Sequence, residues 1–124
     1  GPTGEMAAAK PTIQAGKEAG SITIASFERI LRDAPDTIHL VDVRAEKQFR
    51  AATIKGAINI PIDALEDSLD ELPKGRPIVF FCTSGARSGD AYDLIQEKKL
   101  PIEAYFLDAN VKFDKDGNYR LEEN

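Results

Sequence analysis

Two short runs of apolar residues, Ile38-His39-Leu40-Val41-Asp42-Val43 and Pro77-Ile78-Val79-Phe80-Phe81, set the strictest limit on how this chain can fold. A strand with one wet face alternates apolar and polar side chains, whereas a run with almost no alternation needs cover on both faces. Helices crossing over between parallel strands provide such cover. Apolar stripes at helical spacing are present to do so. Phe27, Ile30, Leu31 and Ala34 follow a short strand over residues 22–24, with Ser26 as the expected N-cap and Pro35-Asp36 as the stop. Ile62, Leu65, Leu69 and Leu72 follow Pro61, and Ala91, Leu94 and Ile95 follow the second run. Short strands at residues 57–60 and 104–107 complete the alternation. The pattern predicts an α/β fold of three layers, α/β/α, around an open sheet, with ligands binding beyond the carboxyl ends of the strands.

The 124 residues suit one core. Residues 1–20 hold Gly, Ala, Pro, Lys and Thr with scattered apolar residues, and are expected to form a flexible arm or linker outside a single domain spanning 21–124. Near the other end, residues 111–113 and 119–121 flank Asp116-Gly117, which predicts a C-terminal β-hairpin. Asp114, Asp116 and Asn118 alternate as in a calcium loop, but Tyr119 stands where the turn glycine belongs, so no metal site is expected there. His39 sits within a strand and reads as core or surface; a Ser-His-Asp triad has no support. Glu97, Lys98 and Lys99 read as solvated helix surface.

A net charge of −5 opposes nucleic-acid binding, which draws its affinity from clustered Lys and Arg. No apolar stretch reaches the roughly 18 residues of a membrane span, so a soluble chain is expected. Gly1 ahead of Met6 reads as a processed or appended terminus. The compartment is left open between cytoplasm and, after removal of an export signal, periplasm.

The single cysteine, Cys82, can form no internal disulfide, and with one histidine the chain has no Cys/His cluster of zinc spacing. That leaves an inert core thiol or a reactive one. Its neighbours favour the second reading. Cys82-Thr83-Ser84-Gly85-Ala86-Arg87-Ser88 runs from a core strand through a short polar loop into a helix. Successive backbone N–H groups in such a loop converge on an anion, the helix N-terminus adds partial positive charge, and Gly85 permits the curvature. The same field favours thiolate, the nucleophilic form of cysteine.

These residues resemble the rhodanese family, whose loop commonly reads C-x-x-G-x-R-S, matched by Cys82, Gly85, Arg87 and Ser88. A second block, Asp42-Val43-Arg44, Phe49, Ile54 and Gly56-Ala57-Ile58-Asn59-Ile60-Pro61, is similar to the family's upstream pattern at matching spacing. Ala52-Thr53 stand where many members have Gly-His, and Gln48 replaces a usual Glu; both positions are expected to be peripheral to the chemistry. Leu107-Asp108-Ala109-Asn110-Val111 replaces a usual Gly-Gly turn, so the exit from the last strand is expected to differ. The resemblance implies a five-stranded, mainly parallel sheet and a sulfurtransferase. Cys82 would take a sulfur atom from a donor such as thiosulfate, hold it as a persulfide, and pass it to a thiol or cyanide, with no metal or organic cofactor.

Thr83, Ser84, Gly85, Ala86 and Arg87 are the expected substrate-binding residues, their amides facing the terminal sulfur. Arg87 either attracts the donor's sulfonate or pairs with Asp42 to order the loop, and Asp42, Arg44 and Ser88 are candidates for loop support. Thr83 and Ser84 hydroxyls either tune donor choice or simply face solvent. Cell-cycle tyrosine phosphatases related to this family place five residues between cysteine and arginine. Here four intervene, Ser88 occupies the position their arginine would need, and Phe81 precedes the cysteine, which disfavours a cysteine phosphatase or arsenate reductase. Two other readings stay open: a protein-to-protein persulfide carrier and an inactive rhodanese-like interaction module.

Overall fold

The structure, a computed structural model, describes residues 12–124. Five strands form one parallel sheet: β1 (Ser21–Ile22), β2 (His39–Asp42), β3 (Ile58–Asn59), β4 (Ile78–Phe81) and β5 (Ala104–Leu107), in the spatial order β1-β5-β4-β2-β3. The central strand, β4, is also the most apolar. All four of its residues are fully buried, and its side chains divide between the two faces. Ile78 and Phe80 enter one core with Val41, Val43 and Phe106, while Val79 and Phe81 enter the other with Leu40 and Leu107. The lack of alternation in the sequence is thus the mark of a strand covered on both sides.

One face is covered by α3 (Ile62–Leu65), the 3-10 turns of Glu66–Glu71, and α4 (Ala86–Glu97), which contribute Leu65, Ala91 and Ile95. On the other, α1 (Ile24–Asp33) brings Phe27 and Ile30. A C-terminal hairpin, β6 (Ala109–Phe113) and β7 (Tyr119–Glu123), adds Ala109, Val111, Phe113 and Leu121 to that face. The short α2 (Glu46–Ala51) links β2 towards β3 and buries none of its residues.

Three local expectations change. Thr23, not Ser26, caps α1: its Oγ1 accepts from Ser26 N at 3.1 Å. Both residues have suitable side chains, but Ser26 is buried inside the helix, donating to Thr12 O (2.7 Å) and accepting from Gln14 N (3.1 Å). Those bonds belong to the second change. Of the expected N-terminal arm, residues 1–11 lie outside the described residues, but residues 12–20 fold against the domain. Ile13 packs on the α1 core and Ala15 bridges Ile22. Third, the hairpin has longer strands than expected and a five-residue loop, 114–118, in which Asp114 Oδ1 accepts from Asp116 N (2.8 Å) and Asn118 N (3.0 Å). The alternating polar residues there serve an Asx-type turn.

Because β4 carries both cores, Phe80→Ala should lower unfolding free energy by roughly 3–5 kcal/mol. Ile58→Ala, on the edge strand and 43% exposed, should change it by no more than about 0.5 kcal/mol; urea unfolding followed by circular dichroism separates the two.

Candidate functional site

The chain leaves β4 at its carboxyl end and turns within four residues into α4. Cys82 is the first residue of that turn and is 2% exposed, its side chain continuing the Ile78–Phe80 face. Two backbone amides point at its sulfur, Gly85 N at 3.1 Å and Ser88 N at 3.3 Å. The thiol lies 3.4 Å from Ser88 Oγ, to which it donates, and that hydroxyl donates in turn to Leu107 O at 3.2 Å. The expectation for Ser88 is loop support alone; in the structure its amide and hydroxyl both touch the sulfur. The first amides of any helix lack intrahelical partners, so those of Ala86 and Arg87 open on the same side. Thr83, Ser84, Ala86 and Arg87 are exposed and form the rim.

Gly85 permits this geometry. It is the N-cap of α4 with φ +101°, and a Cβ there would lie 2.6 Å from Asp108 Oδ1 and 3.0 Å from Asp108 Cα. Both the left-handed backbone and the close approach of the β5 exit require the absence of a side chain. The C-terminal hairpin holds the loop from that side. Val111 N donates to Thr83 O (2.8 Å), and Asn124 Nδ2 donates to Ser84 O (3.1 Å) and Asp108 Oδ1 (2.7 Å). The altered strand exit expected from Leu107-Asp108-Ala109-Asn110-Val111 is therefore a direct passage from β5 into β6, laid along the loop.

Of the two roles open to Arg87, the pairing with Asp42 does not form. Asp42 is bound by Arg44, two residues away, because both side chains fold under the loop after β2. Arg44 Nε and Nη2 reach Asp42 Oδ1 (3.0 Å) and Oδ2 (2.8 Å), and Arg44 N adds a third bond to Oδ1 (2.9 Å). Both side chains are buried, and further groups bond to the pair. Thr53 Oγ1 donates to Asp42 Oδ2 (2.9 Å), Arg44 Nη2 donates to Ala52 O (2.5 Å), and the guanidinium lies 4.8 Å from the Phe113 ring centroid. Asn59 Nδ2 joins the Asp42 and Arg44 carbonyls (2.9 and 3.0 Å).

Ala52 and Thr53 thus bond the buried ion pair, and neither bonds to the Cys82 sulfur. Gln48 is no bystander either: its Oε1 accepts from Arg87 Nη1 at 3.3 Å and from Ala45 N at 3.3 Å. Sequence spacing alone could not reveal these contacts, because they depend on how α2 turns back towards the Cys82 loop. His39 is half-buried with Nε2 against Lys74 O (2.9 Å), remote from the loop. A pocket of about 580 Å³, lined by Leu31, Ile38, Leu40, Ile54, Ile58 and Tyr119 among others, contains no residue of the Cys82 loop. Among the described residues no cluster of three metal-ligating side chains occurs, and no helix is long and apolar enough to cross a membrane.

Comparisons with known proteins agree on this architecture. The family model of the rhodanese-like domain matches residues 23–112. A sulfurtransferase of Allochromatium vinosum is 35% identical over 66 residues, covering 53% of this chain and 61% of that protein. The thiosulfate sulfurtransferase PspE of Escherichia coli is 31% identical over 61 residues, covering 48% of this chain and 59% of that protein. The chain therefore matches less than two thirds of the length of these relatives. The human single-domain sulfurtransferase TSTD1 superposes with a TM-score of 0.60 at 27% identity, over 73% of this chain and 90% of that one.

Two substitutions test the construction of the site. Arg44→Met strands the buried Asp42 carboxylate and should cost about 3–5 kcal/mol in urea unfolding. Gly85→Ala should cost about 1–3 kcal/mol through its positive φ. It should also broaden or shift the amide resonances of residues 83–88 in a heteronuclear NMR spectrum while leaving those of β2 in place.

Proposed function

The chain belongs to the rhodanese-like domain family, and from that premise we propose that it is a sulfurtransferase that carries sulfane sulfur as a persulfide on Cys82. The observation that carries this reading is the pair of backbone amides, Gly85 N and Ser88 N, aimed at the Cys82 sulfur from the turn that starts α4. Hydrogen bonds to an ionised acceptor are roughly twice as strong as neutral ones, so amides aimed at this position suit the negative charge that a persulfide carries. Ser88 Oγ can adapt to the change of state. Next to a thiol it accepts; next to a thiolate its hydrogen can turn from Leu107 O towards the sulfur.

With thiosulfate as donor, the Cys82 thiolate attacks the outer sulfur. A new S–S bond forms, the bond to the sulfonate sulfur breaks with its electron pair, and sulfite leaves. The product is a Cys82 persulfide anion, whose terminal sulfur lies towards the free amides of Ala86 and Arg87. These act as the donors of an oxyanion hole act on developing oxygen charge. A thiolate or cyanide then attacks that terminal sulfur and the Cys82 thiolate is regenerated. Arg87 stands exposed on the rim, held by a neutral amide, and so keeps its full charge for an incoming anion. Thr83 and Ser84 lie on the same rim; their carbonyls are engaged by the hairpin, which leaves their hydroxyls free towards solvent.

Intact mass spectrometry after incubation with thiosulfate or a persulfide donor should show a gain of one sulfur atom that cyanide removes as thiocyanate. Cys82→Ser should show no gain. Absence of the adduct with every donor in the native chain would refute the assignment.

A further inference from the structure

We propose that the mouth of the site is built for a zwitterionic donor, a small α-amino acid persulfide such as cysteine persulfide, with its carboxylate towards Arg87 and its ammonium towards Asp108. The inference rests on the sulfurtransferase reading and specifies the substrate class of the same site. It starts from sheet order. Strands β5 and β2 flank β4 on opposite sides, so the segments leaving their carboxyl ends meet the Cys82 loop from opposite sides. Asp108 is the first residue after β5. Arg87 is held at the other side by Gln48, on α2, the helix after β2.

Each of these two charges is held by an amide side chain. Arg87 Nη1 donates to Gln48 Oε1 (3.3 Å), and Asp108 Oδ1 accepts from Asn124 Nδ2 (2.7 Å). Neither takes part in an ion pair among the described residues. Arg44 is paired with Asp42, and Lys112 and Arg120 both pair with Glu122. The mouth of the site is therefore flanked by a cation and an anion that are each outside any ion pair among the described residues.

Asp108 is close enough to act on a bound donor. Gly85 N is 3.1 Å from the sulfur, and the place of a Gly85 Cβ is 2.6 Å from Asp108 Oδ1. With standard backbone lengths, that path keeps the carboxylate oxygen within about 8 Å of the sulfur, no more than a Debye length at physiological salt. A carboxylate at that range opposes a dianion such as thiosulfate. It attracts an ammonium carried two carbons from the donor's inner sulfur. The second tie of Asn124, to Ser84 O at 3.1 Å, fixes the carboxylate relative to the loop, so its position does not depend on a flexible rotamer alone.

The transfer balances without an added oxidant or reductant. The Cys82 thiolate attacks the outer sulfur of the amino acid persulfide, the donor's S–S bond breaks, and its electron pair leaves on the cysteine thiolate. That thiolate takes a proton from solvent. Asp108 takes no part in bond making; it is a specificity-determining residue.

The test compares cysteine persulfide with 3-mercaptopropionate persulfide, which has the same carboxylate and lacks the ammonium. Both load the native chain, and Cys82 persulfide is monitored by mass spectrometry over time. The native chain should load from the zwitterion with a KM about three- to fivefold lower, the range of one exposed ion pair, and with similar maximal rates. Asp108→Asn should abolish that preference and lower the KM for thiosulfate, and Asp108→Glu should restore part of it. Asn124→Ala, which frees the carboxylate but keeps the charge, should weaken the preference. Equal KM values for the two persulfides in the native chain would overturn the inference even if no variant folded, as would an unchanged ratio in a folded Asp108→Asn. No Cys82 persulfide from any donor in the native chain would remove the sulfurtransferase reading and this inference with it; loading from both without discrimination removes this inference alone.

Discussion

Strand β4 has protein on every side, and the position of every other part derives from that burial. With β5 and β2 as neighbours and a core on each face, its four residues have no freedom of register: a shift by one residue would exchange Phe80 and Phe81 between two separately packed cores. A strand fixed in this way fixes the residue at its end. Cys82 keeps the alternation of the strand, its side chain continuing the Ile78–Phe80 face, and so the sulfur arrives beneath the first turn of α4 instead of in solvent. The thiol is placed by core packing, and the loop only has to close over it.

Closure is held from both flanks. On the β2 side, the buried Asp42–Arg44 pair anchors the segment after β2, with Thr53 and Ala52 bonded to its side chains and Asn59 to its backbone carbonyls. Such a pair contributes little net stability against an apolar substitute, but losing one partner is costly. Its effect is to impose one conformation on the segment that leads to α2 and Gln48. On the β5 side, the hairpin binds the carbonyls of Thr83 and Ser84. With these two carbonyls engaged outwards, the loop amides are left to face inwards towards the sulfur, and Gly85 supplies the positive φ that the reversal demands.

The parts legible in the sequence are those set by local pattern. Continuous apolar runs mark β2 and β4, helical spacing marks α1 and α4, and the order thiol, glycine, arginine, serine marks the loop. The parts hidden in it depend on long-range approach. Thr23 and Ser26 are equal as caps until residues 12–14 fold onto Ser26. Arg87 and Arg44 are equal as partners of Asp42, and only the course of the chain after β2 brings Arg44 beneath it. Asn124 carries no signal at all, since its contact with Ser84 spans forty positions along the chain.

The hairpin belongs to the site because it replaces a turn. A Gly-Gly turn after the last sheet strand would let backbone pass close to the loop without committing side chains to it. In this chain Ala109 and Asn110 begin a strand instead, and Ala109 is fully buried in the core that contains Phe81. Extended backbone at this point directs Val111 N at Thr83 O and brings the end of β7 back beside Asp108. Exchanging a turn for a strand exit therefore adds a second, side-chain-bearing wall beside the loop. Loop amides recognise a sulfur anion whatever it is attached to. The donor preference proposed above calls for side chains in addition to these amides, and the hairpin brings Asn124 beside Asp108 and the loop.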